Sequence, residues 1–380
     1  MKQKISAGLF RLAAALGLGA TVFLTGCGEF FTPVNNNPGG TGSTTFVYVT
    51  NASLTGGTLS AYSLTSGVLT ELTGSPYTLP AIPTSVVVAP NNAFLFVGTT
   101  TGVFEYAIAS DGTLTEGNNS TVLYISQDST STTVQSMVVD STSSWLIVAN
   151  QGSSYLDAVN FSPTTGLSSG ATIQSAKISQ PTAVQLAISP ANTNVFVALG
   201  VNGIEGIPFT ATSTTPWGST GSVVPVLKTN GSDNAIAIDT TSTYVFVAEA
   251  TTNQLRSMSI AKLSTETDYA TGAGPSAVLP GLDGNYVYVA DSTDNTISGY
   301  ALSAGALTEL TDSPFSTTKS PLALVEDSTK GYLLTVGSKG NPNLWLYNFD
   351  ATILGDLDVK TTTSTGAATT STANAIAVSH

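Results

Sequence analysis

The sequence predicts an all-β protein, a seven-bladed β-propeller of four-stranded blades closed by the two ends of the chain. Three observations carry this. An apolar, strand-like run recurs seven times at steps of 42 to 51 residues. Each period holds about four short runs rich in Val, Ile, Tyr and Phe, separated by Ser, Thr and Gly. Only 9% of residues are charged, 36 are glycine, and amphipathic helical periodicity is confined to the first thirty positions. The chain also begins with a unit that lacks its first strand and ends with a strand that lacks a unit.

The N-terminal stretch "MKQKISAGLFRLAAALGLGATVFLTGCGEF" precedes the repeats. Lys2, Lys4 and Arg11 make a positive start, and the apolar run from Leu12 to Leu24 is too short for a comfortable membrane span. Residues 1–26 are therefore expected to be an export signal. The segment closes on Leu24-Thr25-Gly26-Cys27, which resembles the bacterial lipobox, in which the cysteine after the cleavage site becomes lipidated. Cys27 is the only cysteine in the chain. Its lipidation would leave no thiol for disulfides, metal binding or catalysis, and the acyl chains would anchor the mature protein to the membrane. Gly28, where an acidic residue is absent, permits sorting to the outer membrane by resemblance to Gram-negative rules. Residues 28–43, "GEFFTPVNNNPGGTGS", read as a flexible tether reaching about 20–25 Å.

Residues 44–380 form the expected propeller. The second strand of each unit reads "FVYVTN" from Phe46, "FLFVGT" from Phe94, "WLIVAN" from Trp145, "NVFVAL" from Asn194, "YVFVAE" from Tyr244, "YVYVAD" from Tyr286 and "YLLTVG" from Tyr332. A smaller apolar run precedes six of these, beginning at Pro83, Val134, Pro181, Asp233, Pro275 and Pro321, and is expected to wall the central channel. Third and fourth strands follow, as in "ISGYALSAGALTELTDSPF", residues 297–315, with Gly305 in the hairpin between them. The aromatic residues that open the second strands are expected to pack between blades. The last run, Asn374 to Ser379, would complete blade one and leave no long edge exposed. A linear solenoid of the same period is the competing architecture, and it would need caps at both ends.

"FVYVTN" at 46–51, "PTSVVVAPNNAFLFVGT" at 83–99, and "SAYSLTSGVLTELTGSPY" at 60–77 with its near copy at 298–315 resemble the YVTN-repeat, lactonase-like propellers. That family includes the propeller-type 6-phosphogluconolactonases. The resemblance covers residues 46–380 and implies the fold; it also implies a possible activity, lactone hydrolysis. Its motifs are structural, and no catalytic residue carries over. Hydrolysis of a sugar-phosphate lactone requires cations for the phosphate and a general base for water. The only histidine is the terminal His380, expected to be mobile and solvated, and the only arginine beyond the signal is Arg256, within the strand-like "QLRSMSI".

Without residues 1–26, 8 bases face 24 acids, a net charge of −16. Neither nucleic acid nor anionic lipid head groups are expected as partners for so acidic a surface, since both require a basic footprint. No metalloprotease, P-loop or nucleophile-elbow motif is present. "DGTLTEGNN" at 111–119 and "STDNT" at 292–296 lack full calcium-loop spacing and are read as turns.

Propeller geometry nevertheless gathers the ends of second strands and the entries to inner strands around one channel mouth. Asn51, Asn150, Asp233, Glu249, Asp291, Lys319 and Lys339 fall there, expected to project from loops. Asp233, Glu249 and Asp291 are expected close together, suited to a divalent cation such as calcium or to a neutral, hydroxyl-rich ligand. No other cofactor is implied. The expectation is a monomeric, lipid-anchored protein of the bacterial cell envelope that binds a small molecule or a protein. The competing reading is a lactonase-like hydrolase using Asp233, Glu249 or Asp291 as base.

Overall fold

The computed structural model describes residues 44–117, 131–168, 170–218, 222–224, 231–366 and 372–380. The export signal, Cys27 and the tether lie outside them. Among the described residues every regular element is a strand, and the strands form seven antiparallel sheets, one for each sequence unit. The architecture is a seven-bladed β-propeller. The second strands fall where the repeat placed them, from Thr45–Ala52 in blade one to Tyr332–Gly337 in blade seven.

The inner strands are Pro83–Val88, Val134–Val139, Gln185–Ile188, Asp233–Ile238, Pro275–Pro280 and Pro321–Glu326, with Thr372–Val378 serving blade one. Two inner strands depart from the expected bounds: blade one's runs Thr372–Val378 rather than Asn374 to Ser379, and blade four's starts late. The blade-four inner strand begins at Gln185 rather than Pro181; ahead of it Val184 N donates to Ala198 O (2.8 Å) and the Thr182 hydroxyl to Leu199 O (2.9 Å).

Each inner strand touches the next around the channel. Side chains on the two faces of a blade pack against different neighbours, so the second strands are buried on both faces and read as continuous apolar runs. Seven hydrophobic clusters result, one at each junction between adjacent blades. Val47, Val49, Ile376 and Val378 of blade one meet Val325, Leu334 and Leu346 of blade seven. Ala235, Phe246 and Leu255 of blade five meet Val278, Val287 and Tyr300 of blade six.

The aromatic residues that open second strands have a particular partner. The left-handed glycine in the hairpin between third and fourth strands of the following blade lies against the ring: Gly112 on Phe46, Gly305 on Tyr244, Gly355 on Tyr286 and Gly67 on Tyr332. A Cβ at Gly112 would stand 2.2 Å from the Phe46 ring. Glycine is therefore required both by its positive φ and by the contact.

The turns from inner to second strand repeat a second device. Asp140, Asp239 and Asp327 each accept two backbone N–H groups through Oδ1, from Ser144 and Trp145, Thr243 and Tyr244, and Gly331 and Tyr332. Buried carboxylates thus satisfy amides that the ladder leaves free.

Ring closure follows the predicted pairing. Thr372–Val378 runs antiparallel to Thr45–Ala52, from Val47 opposite Val378 to Ala52 opposite Thr372. Phe46 N donates to Ser379 Oγ (2.8 Å), and Ser379 N to Phe46 O (2.9 Å). His380, expected to be solvated, is only partly exposed and is hydrogen-bonded to blade two. Its N–H donates to Asn92 Oδ1 and its carbonyl accepts from Asn92 Nδ2, both at 2.7 Å, so blade two clasps the end of the chain. Burial lowers the pKa of the ring.

Candidate functional site

At the channel mouth, inner strands begin and second strands end. In six blades the inner strand enters through a β-bulge. Asn374, Thr84, Gln135, Asn234, Ser276 and Leu322 are the extra residues of blades one, two, three, five, six and seven. A bulge re-aims its side chain, and five of these six residues are polar and uncharged. Two join neighbouring blades directly. Asn374 Nδ2 donates to Pro83 O and Ser276 Oγ to Pro321 O, each at 2.7 Å.

Asp233 and Glu249 come together as expected, opposite one another on adjacent strands of blade five. Neither projects from a loop: both are buried, as is Asp291. The reason is Arg256, in the third strand, whose guanidinium is itself fully buried. Its Nη2 contacts Glu249 Oε1 and lies 3.5 Å from Asp233 Oδ1, while Nη1 lies 3.4 Å from Glu266 Oε2. One cation answers three acids. Burial pushes the Asp233 carboxyl up to about 7; Arg256 opposes that and Glu249 adds to it. Burial raises Glu266 as well.

Asp291 does not join this group. Its Oδ2 accepts from Ser298 Oγ (2.7 Å) and Thr296 Oγ1 (3.3 Å) within blade six. Burial pushes it to about 7 against those two bonds, and Asp294 is the charged neighbour that adds to the shift. Gly272 makes room: a Cβ there would stand 2.7 Å from Asp291 Oδ2. The expected trio of carboxylates is thus a pair plus one.

Asn51 is structural. It donates to Val49 O and Ser60 Oγ, and accepts from Thr365 Oγ1 (2.6 Å). Asn150 is also buried, and its carbonyl accepts the Ser153 N–H. Lys319 and Lys339 are exposed on blade seven, their loops joined by Lys339 N donating to Lys319 O (3.2 Å). Among the described residues, no group of three His, Cys, Asp or Glu side chains is arranged to hold a metal. At the blade-five acids, Arg256 takes the place a cation would occupy. Of the two segments read as turns, residues 292–295 are one, with Asp294 Oδ2 accepting from Ala273 N. The segment 111–119, where described, turns only at its start, where Asp111 Oδ1 accepts from Thr113 N and Oγ1; Leu114–Glu116 is the fourth strand of blade two, because its residues pair with Tyr106 to Ile108.

Arg256 and Glu266 were missed as site residues, although a signal existed. The third-strand residues opposite the fourth residue of each second strand are Ser60, Phe104, Asp157, Glu205, Arg256, Ser298 and Trp345. Aligning third strands would have exposed this column, polar in five of seven blades.

No protein-family model and no curated protein matches the sequence. Among solved structures the chain is similar to the periplasmic gluconolactonase of Pseudomonas aeruginosa, at 12% identity over 89% of this chain and 99% of that one, with a TM-score of 0.69. It is similar to a candidate 6-phosphogluconolactonase of Bacteroides uniformis, at 13% identity over 88% and 99%, with a TM-score of 0.68. A streptogramin B lyase matches at 11% identity over 82% and 93%, with a TM-score of 0.53. At such identities the likeness establishes the fold alone, and the names show one fold carrying different chemistries.

Proposed function

We propose that this chain is an exported, lipid-anchored propeller whose channel mouth binds a neutral, hydroxyl-rich ligand. The supporting observation is the burial of the acids. Asp233, Glu249 and Asp291 are at most 2% exposed, so the side chains that reach solvent at the mouth are the partly exposed Gln135, Asn234 and Ser276, the last two held in place by hydrogen bonds of their own, with Lys319 and Lys339 at the rim. Neutral donors and acceptors in that arrangement suit hydroxyl groups. Calorimetry with a sugar panel tests it: binding is expected, weakened by Asn234→Ala with Gln135→Ala. Absence of binding to every sugar removes the reading. Export and anchoring rest on residues 1–27; Cys27→Ala is expected to move the protein from the membrane to the soluble fraction.

A lactonase-like hydrolase is the second reading, favoured by two carboxyls near the mouth held at about 7 and by the lactonase names among similar structures. An ionised Asp233 or Asp291 would take a proton from water as the water oxygen adds to the lactone carbonyl, and would return it to the ring oxygen as the carbon–oxygen bond of the tetrahedral intermediate breaks. Either carboxyl would first have to swing into the channel. Hydrolysis of sugar lactones above the spontaneous rate, rising through pH 7 and lost in Asp233→Asn or Asp291→Asn, would establish it.

A further inference from the structure

We propose that the face opposite the mouth, at blades seven and one, rests on a phospholipid surface. This builds on the anchored reading above and identifies which side of the ring meets the membrane. The described chain enters the propeller on that face. Thr44 Oγ1 lies 3.3 Å from Thr65 Oγ1, beside the outer hairpin of blade one, and Thr45 Oγ1 lies 3.4 Å from Ser328 Oγ in a turn of blade seven. Residues 28–43 would tie this point, and not the mouth, to the anchor.

Exposed apolar side chains flank the entry. Val68, in the blade-one hairpin, is 60% exposed, and Leu354, in the loop between the outer strands of blade seven, is 73% exposed, with Ile353 and Val359 also exposed beside it. These are four of the six large exposed hydrophobic residues among the described residues. The loop that carries Leu354 is braced from within. Asp350 Oδ1 accepts from Thr352 N, Thr352 Oγ1 and Ile353 N, while Asp350 N donates to Asp356 O (2.8 Å) and Asp356 N to Ile353 O (3.1 Å). The Asp350 carboxylate is spent in holding the loop, Asp356 joins through its backbone, and Ile353 and Leu354 stand at the apex.

Both signs of charge border this arc: Asp358 is exposed on the outer strand of blade seven, and Asp312, Asp350 and Asp358 are the charged neighbours of Asp356. On a chain with few bases, exposed Lys330 follows Ser328 in the turn at the entry. Lys360 is exposed too, and its side chain reaches Gly67, next to Val68. Apolar side chains bordered by lysines match the boundary between acyl chains and head groups, where the apolar tips enter and the ammonium groups stay at the phosphates. The mouth then faces away from the bilayer, open to its ligand.

The test uses the chain from residue 28, coupled at its N-terminus to a synthetic diacyl lipid, so its outcome does not depend on whether Cys27 is lipidated in the cell. That chain has no cysteine, and Leu354→Cys, Val68→Cys, Leu54→Cys and Val201→Cys each accept one environment-sensitive fluorophore. Leu54 and Val201 are exposed on loops of the mouth face. On phosphatidylethanolamine–phosphatidylglycerol vesicles, labels at 354 and 68 are expected to shift to the blue and to be quenched severalfold more by nitroxide lipids than labels at 54 and 201. Leu354→Asp with Val68→Asp should lower vesicle binding of the unlipidated chain severalfold. Equal quenching at all four sites, or stronger quenching at 54 and 201, overturns the proposal. A blue shift without vesicles that grows with protein concentration would assign the patch to a second copy of the chain and overturn it equally.

Discussion

At Arg256 a single guanidinium, wholly removed from water, faces Asp233, Glu249 and Glu266. Taking these groups out of water costs several kcal/mol per ion, and mutual attraction offsets it only while every partner is present. Arg256→Met should therefore destabilise the protein by about 3–5 kcal/mol, because buried acids lose their counter-charge. Arg256→Lys should recover only part of that loss, since one ammonium lacks the planar fork that spans several carboxylates. Urea denaturation of the three proteins decides it. Equal stability of Arg256→Met and wild type would mean that the acids are already protonated and that the arginine is dispensable. Asp233 and Glu249 could be read from the sequence as members of one blade. That an arginine seven residues after Glu249 lies between them depends on antiparallel register, which brings Arg256 opposite Val247 and beside the blade entry.

The closing strand shows what one element contributes. Ile376 and Val378 are fully buried between blades one and seven, each worth about 1.5–3 kcal/mol in transfer from water. The strand also pairs the inner edge of Thr45–Ala52. Deleting residues 372–380 should abolish cooperative unfolding or lower Tm drastically. Deleting residues 28–43 should change stability by only about 0.5 kcal/mol or less. Circular dichroism melts of both truncations test the contrast, and similar small shifts would contradict closure by the chain ends. This element was legible because an inner strand without a blade and a blade without an inner strand are complementary deficits. The clasp of His380 by Asn92 was not legible, since it joins residues 288 positions apart through a turn whose side-chain direction no local pattern specifies.

Across the whole molecule, eleven Asp and Glu side chains are buried among the described residues against one buried base, Arg256. Burial pushes Glu105, Asp233 and Asp291 up to about 7 and Glu326 to about 8. Glu105 Oε2 accepts Leu167 N and Glu326 Oε2 accepts Leu282 N, bonds that only partly offset the burial. Between the ordinary carboxyl range near 4 and these raised values, the folded state binds more protons than the unfolded state. Stability must then fall as pH rises through that window. Tm is expected to be higher at pH 5 than at pH 8, the reverse of the usual acid sensitivity. Asp111 and Asp350, whose hydrogen bonds lower their pKa, act in the opposite sense only at more acidic pH. A scan of Tm against pH that is flat or rises toward pH 8 would show that these carboxyls ionise without cost in the fold.

The number of blades, the position of nearly every second strand and the closure of the ring followed from sequence alone, because each depends on a periodic burial requirement that local composition must repeat. The hairpin at Gly305 followed too, since a left-handed turn position selects glycine. The state of the mouth carboxylates was decided only by the tertiary structure. A carboxylate at a strand end reads the same whether it meets solvent or a guanidinium, and bulges, strand register and the approach of a neighbouring blade determine which. For Asp233 and Glu249 it is the guanidinium of Arg256, and for Asp291 the hydroxyls of Ser298 and Thr296.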